Sequence, residues 1–367
     1  MSTDRYVIHL AKCALKNSTP KEKPENLSWD AIFTLADKHM IANMLWYSVN
    51  KLKNKPAPEL WKKWTEIKNK AFVKDIIQKN EYRQIAGIFE KKKIRCMAVK
   101  GIFMKNMYPG SDYRTMSDID ILVDAENTGK AGDAMFELGY TCKKKEAGQH
   151  DIYFKPPVMN VEIHRRLFSD ITWKNFSRYY RNAFTKAEKT DGYEYVYKMT
   201  DEEFYIYVLA HFYKHYCKSG SGIRSVMDIY IMNHSIYRNI DRKSLERKLR
   251  NLNLLDFRNQ ITDLSEMWFG RHKVTPELLK ISDYIISSGT YGTLSNNINN
   301  RINEKGRLGY LIFSVFPPLW YMTDRYTVLN KKPYLLPIFW VWRLVESLVT
   351  RRKVILKKLK AIFCGNK

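Results

Sequence analysis

The 367-residue chain is 45% hydrophobic, 14% aromatic and 28% charged, which excludes a disordered or low-complexity protein and leaves room for two or three packed units. Basic residues outnumber acidic ones 63 to 38, a formal net charge of +25 that favours polyanionic partners: nucleotides, nucleic acid or an anionic membrane surface. Five scattered cysteines (Cys13, Cys96, Cys142, Cys217, Cys364), without CxxC spacing or a histidine at zinc-finger distance, imply reduced thiols. Together with an N-terminus that has no adequate signal-peptide core, they predict a cytoplasmic protein.

Residues 1–90 are expected to form a helical region. "WDAIFTLADKHMIANMLWYSVNKL" and "PELWKKWTEIKNKAFVKDIIQKNEYRQIAGIFEKKK" carry apolar residues at three and four spacing, with lysine-rich loops around them. From 91 to 170 the pattern changes to a small α/β core. "IRCMAV" is predicted as a strand, "KGIFMKNMY" as a helix, "PGSDYRTMS" as a loop, "DIDILV" as a strand and "ENTGKAGDAMFELG" as a helix; "YTCKKK", "DIYFK" and "NVEIHRRL" follow as strands. Helices return from about 171, and residues 171–300 are expected to form a helical domain closing a cleft. Residues 301–367 are read as a basic, aromatic-rich helical region. The expected fold class is α+β: a small mixed sheet flanked by helical regions on both sides.

"RTMSDIDILVD" carries the chemistry. On a strand, alternate side chains share a face, so Asp118 and Asp120 lie together while Ile119, Ile121 and Val123 face the other way. Adjacent carboxylates repel unless water or a cation screens them, and paired acids on a rigid strand are a usual way to hold Mg²⁺, with Mn²⁺ as the alternative. Glu162, between Val161 and Ile163 in "MNVEIHRRL", is a third acid where a buried strand expects none. Three carboxylates at one cleft can hold two divalent ions about 4 Å apart for phosphoryl transfer. Lys100 and Gly101 stand at a strand-to-helix junction, where a glycine, helix amides and an ammonium suit a phosphate, and Arg114 could reach the same oxygens. His164 shares the face of Glu162, either as a residue touching phosphate or orienting an acceptor, or as a hydrogen-bonded core histidine.

In this order, "AVKG", "YRTMSDIDILV" and "VEIHRRL" resemble the nucleotidyltransferase superfamily typified by DNA polymerase beta, and in detail its bacterial family of largely uncharacterised nucleotidyltransferases. The resemblance extends to "LADKHMIANMLW", "HFYKHYCKSGSGIRSVMDIYIM" and "YLLPIFWVWRLVE". It implies that Asp118, Asp120 and Glu162 bind metal and NTP. The usual Gly-Gly or Gly-Ser phosphate turn is replaced by Lys100-Gly101. The implied activity is Mg²⁺-dependent transfer of an NMP from an NTP to a hydroxyl or phosphate acceptor, with release of pyrophosphate. A sugar phosphate, glycan precursor, small molecule, protein or RNA are all open as acceptor. The alternative is a non-catalytic, nucleotide-responsive binding protein docked at the membrane.

Two further sets lie outside this constellation. His211 and His215, one helical turn apart, could share a metal, but such histidines more often close a cleft. Arg224 and Asp228 have the spacing of a helix ion pair and could line the nucleotide or acceptor pocket. Residues 301–367 hold 14 basic and 3 acidic residues. Their apolar segments are shorter than the roughly 20 residues that span a bilayer. Residues 337–363 instead read as an amphipathic stretch that either packs on the protein or lies on an anionic membrane, on the inner face of the cell membrane.

Overall fold

The structure, a computed structural model, describes residues 1–350 except Gly148 and Asp324. It comprises two compact units, one of Met1–Tyr213 with Gly222–Thr290, the other of Lys214–Ser221 with the described part of Tyr291–Lys367. The first unit opens with α1 (Thr3–Leu15), α2 (Trp29–Lys38), α3 (Ala42–Val49) and the long α4 (Pro58–Lys91). The stretch read as one amphipathic run is broken between α2 and α3 at Met40, whose φ of 53° no helix accommodates. Trp64 of α4 locks these helices together: its indole is fully buried, donates to the carbonyl of Ala42 at 2.6 Å, and meets Trp29 and Phe33 edge-on.

Seven strands follow: β1 (Cys96–Val99), β2 (Ile119–Val123), β3 (Thr141–Ala147), β4 (His150–Lys155), β5 (Met159–His164), β6 (Ala187–Lys189) and β7 (Val196–Met199). They form one mixed sheet in the order β3-β4-β5-β2-β1-β7-β6. The pairs β2/β5 and β1/β7 are parallel and the others antiparallel. The strands β6 and β7 lie where the sequence reading expected only helix. They extend the sheet because Val196 pairs with Cys96 in parallel register and buries its side chain.

One face of the sheet is apolar. Ile119, Ile121, Val123, Val161 and Ile163 pack there against Ile85, Ala86 and Phe89 of α4, and against Ala131, Ala134 and Met135 of α6 (Thr128–Glu137). Each large side chain buried there contributes roughly 1.5–3 kcal/mol. The alternation that fills this face sends Asp120, Glu162 and His164 to the other. On that second face Tyr207 of α8 (Asp201–Lys218) lies within electrostatic reach of Asp120 and Glu162, while Ile102 of α5 (Gly101–Lys105) joins the apolar cluster. The remaining helices of this unit are α7 (Lys174–Tyr179), α9 (Ile223–His234), α10 (Arg242–Asn251), α11 (Leu255–Phe269) and α12 (Pro276–Ser288).

The second unit contains α13 (Leu294–Val315), kinked at Gly306 where φ is 71°, then α14 (Leu319–Thr323) and α15 (Leu336–Thr350). Ile298 and Tyr310 are buried among Leu294, Ile302 and Leu311. The helix α15 turns Phe339 and Trp340 towards Tyr326 and Phe316, and engages its charged residues on the same unit. Arg343 donates to the carbonyls of Ser314 and Val315, at 2.6 and 3.1 Å, and Glu346 accepts from Arg325 and Tyr326. Ile338, Val341, Trp342, Val345 and Leu348 of the same helix are exposed, Trp342 by 61%. Among the described residues no helix is long and apolar enough to cross a membrane.

Candidate active site

The parallel pairing of β2 with β5 sets Asp120 directly opposite Glu162. His164 ties them together, its Nε2 lying 3.0 Å from Asp120 Oδ1 and 3.3 Å from Glu162 Oε2. Asp118, one residue before β2, shares the side of Asp120 and is half-buried. Burial, and then the charges of Asp120 and Glu162, push its carboxyl up from 3.8 to about 6. For His164, burial works against the charged ring, but hydrogen bonds and charge from Asp120 and Glu162 outweigh it and raise the imidazole to about 9. The ring's Nδ1 is buried with no partner among the described residues.

His150, which sequence reasoning missed, completes this group. It begins β4 and pairs across the hairpin with His164; the rings are 4.8 Å apart and its Nε2 is 3.4 Å from Glu162 Oε2. The expected strand "DIYFK" starts one residue later, so His150 fell just outside the pattern. Burial, followed by the neighbouring His164, lowers its pKa. Lys74 of α4 was also missed. Burial lowers its pKa while the charge of Asp118 raises it, placing an ammonium within electrostatic reach of the acids.

Lys100 stands between β1 and α5 with φ 54° and ψ −83°, in the left-handed region that suits glycine. Holding a lysine there costs of the order of 1 kcal/mol. Its ammonium donates to Nδ1 of His211 at 2.9 Å. Burial, and then Arg114, lower its pKa to about 7. The helix after it is shorter than "KGIFMKNMY" suggested, only Gly101–Lys105, and a Cβ on Gly101 would lie 2.7 Å from Met116 Sδ. Close packing against the following loop is therefore one reason for that glycine.

Arg114, expected to reach a phosphate, is only 3% exposed and grips Asp228 with two bonds of 2.8 Å, while Tyr108 donates to the same carboxylate at 2.8 Å. It is an anchor for residues 106–117, the loop that delivers Asp118. The loop is held elsewhere too: Asn43 donates to the Asp112 carbonyl, Tyr47 to the Asp112 carboxylate, Gln78 to the Met116 carbonyl, and Arg224 to the Thr115 carbonyl at 2.8 Å. Asp228 and Arg224 thus act on the loop from α9. His211 meets Lys100, whereas His215 caps the end of α8, its carbonyl accepting from Ser219 and Gly220.

The donor set fits a divalent cation. Two carboxylates stand abreast on rigid strands with the Nε2 of His164 between them, and a third is held up by burial and by their charge, so the negative charge gathered here suits a cation; the buried Nδ1 of His164, without a partner among the described residues, suits a water or a substrate acceptor.

A family model described as "Uncharacterised nucleotidyltransferase" matches residues 25–270, about two thirds of the chain. The match takes in the whole sheet and the clamps on residues 106–117, and leaves out "YLLPIFWVWRLVE". No curated protein and no solved structure matches the chain.

Proposed function

Because the chain belongs to this uncharacterised nucleotidyltransferase family, we propose that it moves an NMP from an NTP to a hydroxyl or phosphate acceptor in a Mg²⁺-dependent reaction that releases pyrophosphate. The observation that carries this reading is the register of β2 against β5, which sets Asp120 beside Glu162 with Asp118 next to them. The same strand order favours placing the chain with the superfamily typified by DNA polymerase beta. Residues 91–170 then form the catalytic core, and 171–300 the helices over its cleft.

Asp118, Asp120 and Glu162 hold the divalent ions, which supply charge neutralisation and Lewis acidity at the phosphates when bound. Glu162 takes up the acceptor's proton. Lys100 neutralises phosphate oxygens, which explains a lysine kept in a glycine conformation. Lys100→Met is expected to weaken Mg·NTP binding roughly 10- to 150-fold, since a charge-assisted hydrogen bond contributes about 1.5–3 kcal/mol. Titration calorimetry of the variant checks this, and unchanged affinity would remove Lys100 from the site. The reaction class itself is tested by incubating the protein and cell extract with each α-labelled NTP. Labelled product and pyrophosphate are expected with Mg²⁺ and absent with EDTA; nucleotide binding without transfer would favour the non-catalytic alternative.

The second unit supports docking on an anionic membrane. The helix α15 leaves Ile338, Val341, Trp342, Val345 and Leu348 exposed, as are Leu308 and Ile312 of α13 and Phe316 just after it. The basic excess over residues 301–367 matches an anionic surface, each cation contributing about 1 kcal/mol. Of the expected docking stretch 337–363, residues 351–363 lie outside the described residues. Co-sedimentation with phosphatidylserine vesicles should occur at low salt, fall at high salt, and be lost in Val341→Asp/Trp342→Asp. Equal sedimentation by that variant would reject docking through α15.

A further inference from the structure

We propose that His150, His164 and Glu162 form a second metal position, of mixed nitrogen and oxygen donors, that takes a borderline transition-series divalent cation, from Mn²⁺ to Zn²⁺, beside the all-carboxylate position of Asp118 and Asp120. The proposal rests on the nucleotidyltransferase reading only in that Glu162 is shared by both positions.

The three residues offer ligand atoms that all lie within 4.8 Å of one another. Each histidine Nε2 is within 3.4 Å of the same Glu162 oxygen. Ligands bound to one ion at about 2.0–2.1 Å stand roughly 3.0–3.4 Å apart in octahedral or tetrahedral geometry, so side-chain adjustment alone seats the ion. The scaffold is rigid: His150 and His164 are opposite partners in an antiparallel pair, and Glu162 lies two residues along the same face. Donor chemistry chooses the ion. Hard Mg²⁺ prefers oxygen and water, whereas imidazole suits the later first-row metals. Two imidazoles side by side facing one carboxylate gain little as hydrogen-bonding partners, because both cannot be charged without repelling each other. A shared cation uses both rings as neutral ligands. The acids Asp118 and Asp120 add negative charge to the neighbourhood and make up the other, harder position.

The full-length protein is titrated with Co²⁺ as a spectroscopic probe and with Zn²⁺ by calorimetry. Wild type is expected to show visible Co²⁺ bands of four- or five-coordinate intensity and two hyperfine-shifted imidazole N–H resonances, one per histidine. His150→Gln should keep its fold, lose one of those resonances, and bind Zn²⁺ at least about tenfold more weakly, since even outer-shell partners of metal ligands are worth 10–100-fold. Asp118→Asn should retain both resonances. A Co²⁺ spectrum without shifted imidazole signals in the wild type would overturn the proposal whether or not the variant folds. Mg·NTP binding is measured on the same samples. If it persists while the imidazole signals are absent, only the second position falls; if the signals are present and no NTP binds, the nucleotidyl-transfer reading falls and the metal position stands.

Discussion

Asp118→Asn is expected to abolish nucleotidyl transfer, by a factor of the order of 1000 or more, while making the protein more stable in EDTA. The loss follows from removing a metal ligand, because stabilising phosphoryl charge through a bound ion is worth several kcal/mol. The gain follows from the crowding of three carboxylates. With its pKa raised from 3.8 to about 6, Asp118 binds a proton more tightly folded than unfolded, so wild-type stability in EDTA falls as pH rises across that interval. Above it, the ionised carboxylate costs roughly 3 kcal/mol, which an uncharged Asn recovers. The difference between variant and wild type should vanish near pH 4. Asp120→Asn should lose activity as well but gain no stability, because it also weakens the contact with His164 at 3.0 Å, a bond to a charged partner worth about 1.5–3 kcal/mol. Urea melts of both variants in EDTA across pH 4–8 distinguish these cases. A less stable Asp118→Asn at pH 7 would mean that its carboxylate is a structural acceptor and not a metal ligand.

Asp228→Ala is expected to cost about 3–5 kcal/mol, because it leaves the buried Arg114 guanidinium without its partner. The pair is well formed, with two bonds from Arg114 and a third from Tyr108, and the Arg114 charge holds Asp228 ionised below the usual carboxylate range although burial opposes it. The effect should also reach activity, since the loop that delivers Asp118 hangs on this anchor. Arg114→Met/Asp228→Leu removes both charges and should recover most of the stability. A chemical-denaturation cycle of the two singles and the double measures the coupling. Singles within about 1 kcal/mol of wild type would show that Arg114 is solvated, as expected of a residue waiting for phosphate and not of an anchor.

The contrast between these two pairs shows what the sequence made legible. Asp118, Asp120 and Glu162 stood out because a strand's period of two is local: an acid in an apolar alternation is visible from its immediate neighbours. Even the α+β core and most of its strands followed from such short patterns. The Arg114–Asp228 pair was not legible, because its partners are 114 residues apart and nothing local separates an arginine aimed at a ligand from one buried in a pair. His150 was missed for a related reason. It became a site residue only through the hairpin register that sets it opposite His164, and the register depends on pairing that no single strand announces. The strands β6 and β7, three and four residues long, are too short to carry a period and exist because β1 offers an edge. Lys100 was placed correctly at its turn, but its left-handed backbone, and so the reason for reading it as more than a surface charge, emerged only from the fold.

The most direct measurement of the central claim is calorimetric titration of each of the four NTPs into wild type and Asp118→Asn, in Mg²⁺ and in EDTA. The account predicts that at least one NTP binds the wild type in Mg²⁺, that EDTA removes this binding, and that Asp118→Asn lacks it while remaining folded. Binding that is equal with and without Mg²⁺, or equal in wild type and variant, or absent for all four nucleotides, would contradict it.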